Sequence, residues 1–353
     1  MSCHRATQTQ TIEHPSLVRC VLVLLSLTMT TQVGCSSSNG IVYDDQLLIG
    51  IDMHLHTGEW EKIPPSTQNY LAEKFPFPLN LNPEPLAEDT LSAQGIIDQL
   101  DNAGLDQGVV FAVYAPHSVG IATNAEVIDL LDAKPQRLWG LASLRVDQWD
   151  TERDQQLANL REVLSHPRMI GIKLAHAHMH IRFDDPQYDP IYALAGELNK
   201  PVYLHTGPSP FNGTLADPPY TNPIYLEESI KRFPQTQFIL GHMGFDFLNK
   251  AEGNLEECLA LGKQYNNVFF EPSALGSGAS DPEGTLYKRV LRRTKEEGLV
   301  DRMIYGSDGP QYPGFLADYA TRTRDAMKAA GYTAEEAQAV FKTNFERLFG
   351  LSP

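Results

Sequence analysis

A chain of 353 residues that is 42% hydrophobic and 20% charged carries enough apolar material for a large core, which excludes a disordered or fibrous polypeptide. With 28 basic against 44 acidic side chains its formal net charge is −16, and so acidic a surface disfavours nucleic acid as a partner.

The first 34 residues stand apart from the rest. Val21-Leu22-Val23-Leu24-Leu25-Ser26-Leu27-Thr28-Met29 is an apolar run that follows Arg19 and is too short to span a bilayer, so it reads as an export signal. Gln32-Val33-Gly34-Cys35, followed by a Ser-rich stretch, resembles a bacterial lipoprotein cleavage site with Cys35 as the lipidated residue. Gln32 stands where such sites carry Leu, and Glu13 lies upstream, which leaves ordinary signal cleavage, a retained anchor or a later start codon open. Processing at Cys35 would put the protein in the cell envelope, lipid-anchored or periplasmic. It would also leave Cys258 as the one free thiol, so no intramolecular disulfide is expected. Residues 35–46 read as a linker and 47–353 as one domain.

That domain opens on Ile49-Gly50-Ile51-Asp52-Met53-His54-Leu55-His56, an apolar strand ending in two histidines. Side chains alternate along a strand, so Asp52, His54 and His56 are expected on one side, where two imidazoles can reach one divalent ion. A chance strand end is the alternative, and a second pair of ligands has to come from elsewhere. Residues 60–89 follow, with Pro64, Pro65, Pro76, Pro78, Pro83 and Pro85 and the aromatics Tyr70, Phe75 and Phe77. So long an excursion after the clamp reads as a lid-like loop or wall over the site, against a surface loop that packs only on itself.

A strand-plus-helix beat then sets in. Apolar runs at 47–54, 108–113, 138–144, 169–174, 202–205, 238–242, 268–271 and 303–308 are separated by helix-length amphipathic sequence, which makes eight units. Eight such units predict a closed (β/α)8 TIM barrel, with a doubly wound open sheet as the alternative. His54, His56, Lys173, His205, His242, Glu271 and Asp308 all fall toward C-terminal strand ends, where barrel enzymes keep their chemistry, and this favours the barrel.

Within that set His54, His56, His205 and Asp308 can ligate one ion and leave room for water and substrate, with His242 beside them. Each alone has a bland reading: a strand-end histidine in a structural hydrogen bond, or Asp308 capping a turn. The ordered motifs Asp52-x-His54-x-His56, Gly171-Ile172-Lys173-Leu174, His205-Thr206-Gly207, Gly241-His242-Met243-Gly244 and Gly306-Ser307-Asp308-x-Pro310, closed by Asn344-Phe345-x-x-Leu348-Phe349, resemble the amidohydrolase-related family of the amidohydrolase superfamily. This branch includes decarboxylases of the aminocarboxymuconate-semialdehyde and resorcylate type together with lactonases and other hydrolases. The resemblance covers essentially the whole mature chain. It implies one divalent ion, zinc being expected, on the residues matching His54, His56, His205 and Asp308, with His242 in catalysis. Such an ion lowers the pKa of its water toward ~7. Asp308 can then take that proton and hand it to the leaving group, and His242 can donate to the substrate oxygen that becomes negative.

The remaining candidates are softer. Lys173 reads as a buried cation behind the ligands rather than a carboxylated bridge between two ions, and Glu271 as a residue that orients a ligand. In His176-Ala177-His178-Met179-His180 the resemblance favours His176 as a substrate contact, with the other two undecided. Arg145 and Arg182, each soon after a strand, are candidate binders of a substrate carboxylate. Hydrolysis of an external ester, lactone or amide suits an exported enzyme. Metal-dependent decarboxylation of a small aromatic or unsaturated acid is the alternative, and a noncatalytic metal-binding lipoprotein is a second. The expected partners are a small-molecule substrate, the membrane only through Cys35, and a second copy of the chain if it forms a homo-oligomer.

Overall fold

The computed structural model describes residues 40–75 and 77–351, so the export-signal reading and Cys35 lie outside the described residues. Eleven strands occur among the described residues: β1 (Ile41–Tyr43), β2 (Gln46–Leu48), β3 (Gly50–His56), β4 (Leu105–Phe111), β5 (Val113–Ala115), β6 (Gly120–Ala122), β7 (Leu138–Ala142), β8 (Met169–Leu174), β9 (Val202–His205), β10 (Phe238–Gly241) and β11 (Val268–Glu271). Seven of them, β3, β4, β7, β8, β9, β10 and β11, pair in that order as one sheet, all parallel. Helices such as Ala93–Ala103, Asn124–Ala133 and Thr285–Glu296 fill the crossovers.

The eighth run lacks a regular ladder but occupies the eighth position. Ile304 N donates to Phe270 O (2.9 Å) on one side, and Met53 N donates to Tyr305 O (3.1 Å) on the other. Isolated bridges Phe270↔Met303 and Leu55↔Gly309 complete the closure, so the fold is a (β/α)8 TIM barrel. The ladder fails at Ser307 and Asp308 for a local reason. Ser307 N donates to the Asp52 carboxylate (2.9 Å) instead of a backbone carbonyl, and Asp308 sits at φ 67°, a left-handed conformation that no strand continues through.

One expectation for β3 needs correction. The register against β4 slips between Asp52 and Leu55, a β-bulge that places an extra residue on β3 and changes the phase of alternation. Asp52 therefore does not join the two histidines. Its Oδ1 accepts from His54 N (3.1 Å) as well as from Ser307 N, pinning the bulge to the closing segment.

The barrel interior is packed. Ile51, Met53, Val109, Leu141, Ile239 and Ile304 form one buried cluster, and Phe345 of helix Asn344–Phe349 joins it at the end of the barrel away from the histidines. Residues 41–48, expected within or next to a linker, form a hairpin: Ile41 and Leu48 are buried and Tyr43 OH donates to Tyr332 O (2.9 Å). Apolar residues at alternate positions give the hairpin a face that must be buried, which a linker lacks.

The excursion after β3 folds as short helices, including Pro65–Ala72 and Glu84–Leu91, around a small core of Trp60, Ile63, Phe75, Ala87 and Leu91. Thr67 Oγ1 donates to Ser118 O (2.6 Å) and Thr57 Oγ1 to Leu91 O (2.9 Å), which fix it as a wall of the cavity at the C-terminal rim. No helix among the described residues is long and apolar enough to cross a membrane.

Candidate active site

Three ligand-type atoms converge at the mouth of the barrel. His54 Nε2 lies 3.1 Å from His56 Nε2 and 3.0 Å from Asp308 Oδ1, and His56 Nε2 lies 2.9 Å from the same oxygen. Bonds of ~2.0–2.1 Å to a shared ion hold ligands about 3 Å apart, so this triangle has the size a zinc-like cation requires. Two imidazole nitrogens and a carboxylate oxygen facing one point suit a divalent ion chemically as well.

The ligands are held from behind. His54 Nδ1 lies 3.0 Å from both Tyr203 OH and Ser273 Oγ and 3.4 Å from Glu271 Oε1. Glu271 Oε2 in turn accepts from Tyr203 OH (2.9 Å) and Ser273 Oγ (2.8 Å), so the expected orienting role of Glu271 has a geometry. Burial by itself would lower the His54 pKa, but Asp308 and Glu271 outweigh it and the imidazole is raised; His56 is lowered by burial. Asp308 goes well below the usual carboxylate range because His54 and His56 overcome its desolvation.

Two glycines let this arrangement close. A Cβ on Gly241 would sit 1.9 Å from Tyr203 OH, and one on Gly306 would sit 1.9 Å from Glu271 Oε1. The Gly-His and Gly-Ser-Asp motifs thus keep space for groups that orient His54.

His242 enters from the end of β10 at φ 62°, and its Nδ1 is held by Ser273 Oγ (3.0 Å) with Ser273 O at 3.2 Å. Its ring centroid is 5.4 Å from that of His54 and lines the cavity, and burial pushes its pKa down to about 4. The αL conformations of His242 and Asp308 cost on the order of 1–3 kcal/mol each, and such strain persists where the surroundings fix a residue firmly.

His205 reaches the cavity but not the triangle. Its ring packs between His242 (4.5 Å) and His178 (4.8 Å), and its Nε2 is buried with no hydrogen-bond partner among the described residues. Burial holds it well below the ordinary histidine pKa, which leaves a neutral nitrogen of the kind a ligand or substrate can satisfy. The expected four-residue set is therefore three converging residues with His205 alongside.

Three proposed substrate contacts are placed elsewhere. His176 stacks on Phe183 (4.1 Å) with its Nε2 3.3 Å from Tyr192 OH, away from the cavity. The segment coils into helix His176–Met179, so residues two apart point to nearly opposite sides, and His178 lines the cavity instead, its Nδ1 2.9 Å from Ser118 Oγ. His180 bonds to Gly213 O (2.8 Å). Arg145 pairs with Asp147 (2.8 Å) and Arg182 with Asp184 (2.7 Å); both are more than 40% exposed and neither lines the cavity.

Sequence reasoning missed Tyr203 and Ser273 and left His178 undecided. The first two were within reach of strand alternation, since Tyr203 lies two residues before His205 and Ser273 two after Glu271.

A family model described as amidohydrolase matches residues 51–351. Comparison with curated proteins finds no match. Solved structures share the fold. An uncharacterized TIM-barrel protein from Bordetella bronchiseptica is 19% identical, with a TM-score of 0.65 over 86% of this chain and 99% of its own. A probable 2-pyrone-4,6-dicarboxylic acid hydrolase from Acinetobacter baumannii is 19% identical, at a TM-score of 0.58 over 85% and 99%. A dihydroxybenzoic acid decarboxylase from Polaromonas, with bound manganese and the inhibitor 2-nitroresorcinol, is 17% identical, at 0.59 over 86% and 97%.

Proposed function

The chain belongs to the amidohydrolase family, and from that premise we propose that it is a metal-dependent hydrolase that cleaves an ester, lactone or amide bond of a small organic substrate. The observation that carries the reading is the convergence of His54 Nε2, His56 Nε2 and Asp308 Oδ1 beside a cavity that His242 lines. A divalent ion held by these residues supplies Lewis acidity and a water of lowered pKa. Zinc suits the two nitrogens, and manganese, present in the Polaromonas relative, suits the carboxylate.

The protein's own groups suit hydrolysis. Asp308 is kept ionised by its two histidines and so is a proton acceptor, positioned to take a proton from water and return it to a leaving group. His242 is neutral near pH 7, and because Ser273 O can only accept and Ser273 Oγ gives its proton to Glu271, the ring's one proton sits on Nδ1. Its Nε2 is left as a base able to take a proton from water or substrate, not the donor expected from the sequence. Decarboxylation, the activity named for the Polaromonas relative, needs a proton delivered to carbon, which Asp308 could also return after taking it from water, so the products of the reaction separate the two readings.

The deciding experiment loads the purified protein with zinc or manganese and offers aryl esters, lactones and aromatic carboxylates. The expected result is acid release that follows bond cleavage, with no carbon dioxide. Carbon dioxide evolved without hydrolysis would replace this reading with the decarboxylase one.

A further inference from the structure

The turn between β5 and β6 carries Ser118, and the excursion after β3 holds that turn in place. Thr67 Oγ1 donates to Ser118 O (2.6 Å), and a Cβ on Gly120 would sit 2.5 Å from Lys62 O, so turn and excursion are in close contact. Ser118 is fully buried, and its Oγ has one hydrogen-bond partner among the described residues, His178 Nδ1 at 2.9 Å. That pairing decides where the imidazole proton sits. Burial pushes the His178 pKa down to about 3, so the ring carries a single proton. Were that proton on Nδ1, the hydroxyl hydrogen of Ser118 would be sealed inside with no acceptor, at a cost of about 1–3 kcal/mol. With Ser118 donating to Nδ1 the hydroxyl is satisfied, and Nε2 carries the ring proton.

His178 lines the cavity, and its Nε2 has no hydrogen-bond partner among the described residues; unlike Nε2 of His205, it is open to the cavity rather than sealed. The His178 ring meets that of His205 (4.8 Å), which in turn meets His242 (4.5 Å), so one ring separates His178 from the residue that stands next to His54. Lys173 lines the same cavity with its Nζ 4.0 Å from the centroid of the Tyr203 ring, so charge is already available there. What His178 adds is a neutral donor of fixed direction. We infer that His178 is a specificity-determining residue whose Nε2–H donates to a substrate oxygen lying away from the bond being cleaved, with Ser118 and Thr67 as positioning residues. On the hydrolase reading, on which the substrate class rests, that class is a small ester, lactone or amide bearing a second acceptor oxygen, as a ketone, an ether or a carboxylate does. An analogue without that oxygen leaves the donor unpaired, and one that offers a donor there meets a hydrogen.

Nitrogen NMR of the full, zinc-loaded protein with labelled histidine reads the tautomer apart from turnover. His178 should show a protonated Nε2 and a bare Nδ1, and Ser118→Ala should lose that preference, which a merely structural serine would not alter. A His178 proton on Nδ1 in the unaltered protein would overturn the inference. Calorimetric titration then compares acetophenone with ethylbenzene, which lacks the oxygen. His178→Phe should weaken acetophenone by roughly 3- to 10-fold, the scale of a neutral hydrogen bond, and move ethylbenzene by less than about twofold, which also reports that the pocket is intact. Acetophenone indifferent to His178→Phe would equally overturn it. On the ketone-bearing ester 4-acetylphenyl acetate the variant should raise KM with kcat unchanged; a lower kcat at the same KM would put the contact on the reacting oxygen and sink the assignment. If His178→Phe does not fold, the tautomer of the unaltered protein, assigned through His178→Gln, decides. The expected tautomer and binding without hydrolysis of any ester, lactone or amide remove only the reaction assignment. Hydrolysis without them removes only the role of His178.

Discussion

His54 and Asp308 touch twice. Asp308 N donates to His54 O (3.0 Å), and Asp308 Oδ1 lies 3.0 Å from His54 Nε2. One contact closes the barrel and the other builds the ligand triangle, so the two events are linked across 254 residues of chain.

Metal binding should therefore stabilise the whole domain. At a free zinc concentration 100 times Kd the gain is about 2.7 kcal/mol, read as a Tm rise of roughly 4 °C in a domain this large. His54→Ala and Asp308→Ala should each lose both the bound metal and the rise. Either variant retaining a full equivalent of metal by elemental analysis would contradict the assignment of the triangle.

His242→Ala should behave differently. The residue stands beside the triangle and not in it, so most of the metal stays while kcat falls by ~10²-fold or more. Normal turnover in this variant would show that another group handles the proton.

Tyr203 and Ser273 act through His54. Tyr203→Phe removes the hydroxyl that joins His54 Nδ1 to Glu271, and Ser273→Ala removes the one that joins His54, His242 and Glu271. Losing such a partner costs roughly 10- to 100-fold in metal affinity or activity. Competition with a chelator measures the affinity; an unchanged value in both variants would make these contacts incidental.

His176 gives a test in pH. It is buried with its pKa pushed down to about 3, while the unfolded chain binds that proton near ~6.5. As pH falls below ~6.5 the unfolded state takes up the proton first, so the contribution of His176 to stability is full above ~6.5 and is lost progressively toward pH 3. At pH 5 the loss is about 2 kcal/mol. In His176→Phe, which keeps a ring against Phe183, the drop in stability between pH 7.5 and pH 5 should shrink by that amount in urea unfolding, with KM unchanged. A KM raised tenfold would return His176 to the substrate.

Much of this was legible before any coordinates. Near-continuous apolar runs mark buried parallel strands, and the polar residues that interrupt their C-terminal ends mark the rim, so His54, His56, His242, Glu271 and Asp308 could be found by position. What alternation alone does not reveal is phase. The bulge in β3 takes Asp52 away from the two histidines, and the helical turn at His176–Met179 exchanges His176 for His178. The two arginines were misread for a simpler reason: Arg145-x-Asp147 and Arg182-x-Asp184 each carry a partner two residues away, and a local ion pair forms at little entropic cost.

The packed interior of the barrel has a kinetic corollary. With Phe345 packed into the interior at the far end, substrate and product use the rim where the cavity lies, and hydrolysis of an ester or lactone leaves behind a fresh carboxylate beside the residues that would hold the metal. Product should then compete directly with incoming substrate, so progress curves should slow well before the substrate is consumed, and the residence time of the released acid should set the ceiling on turnover.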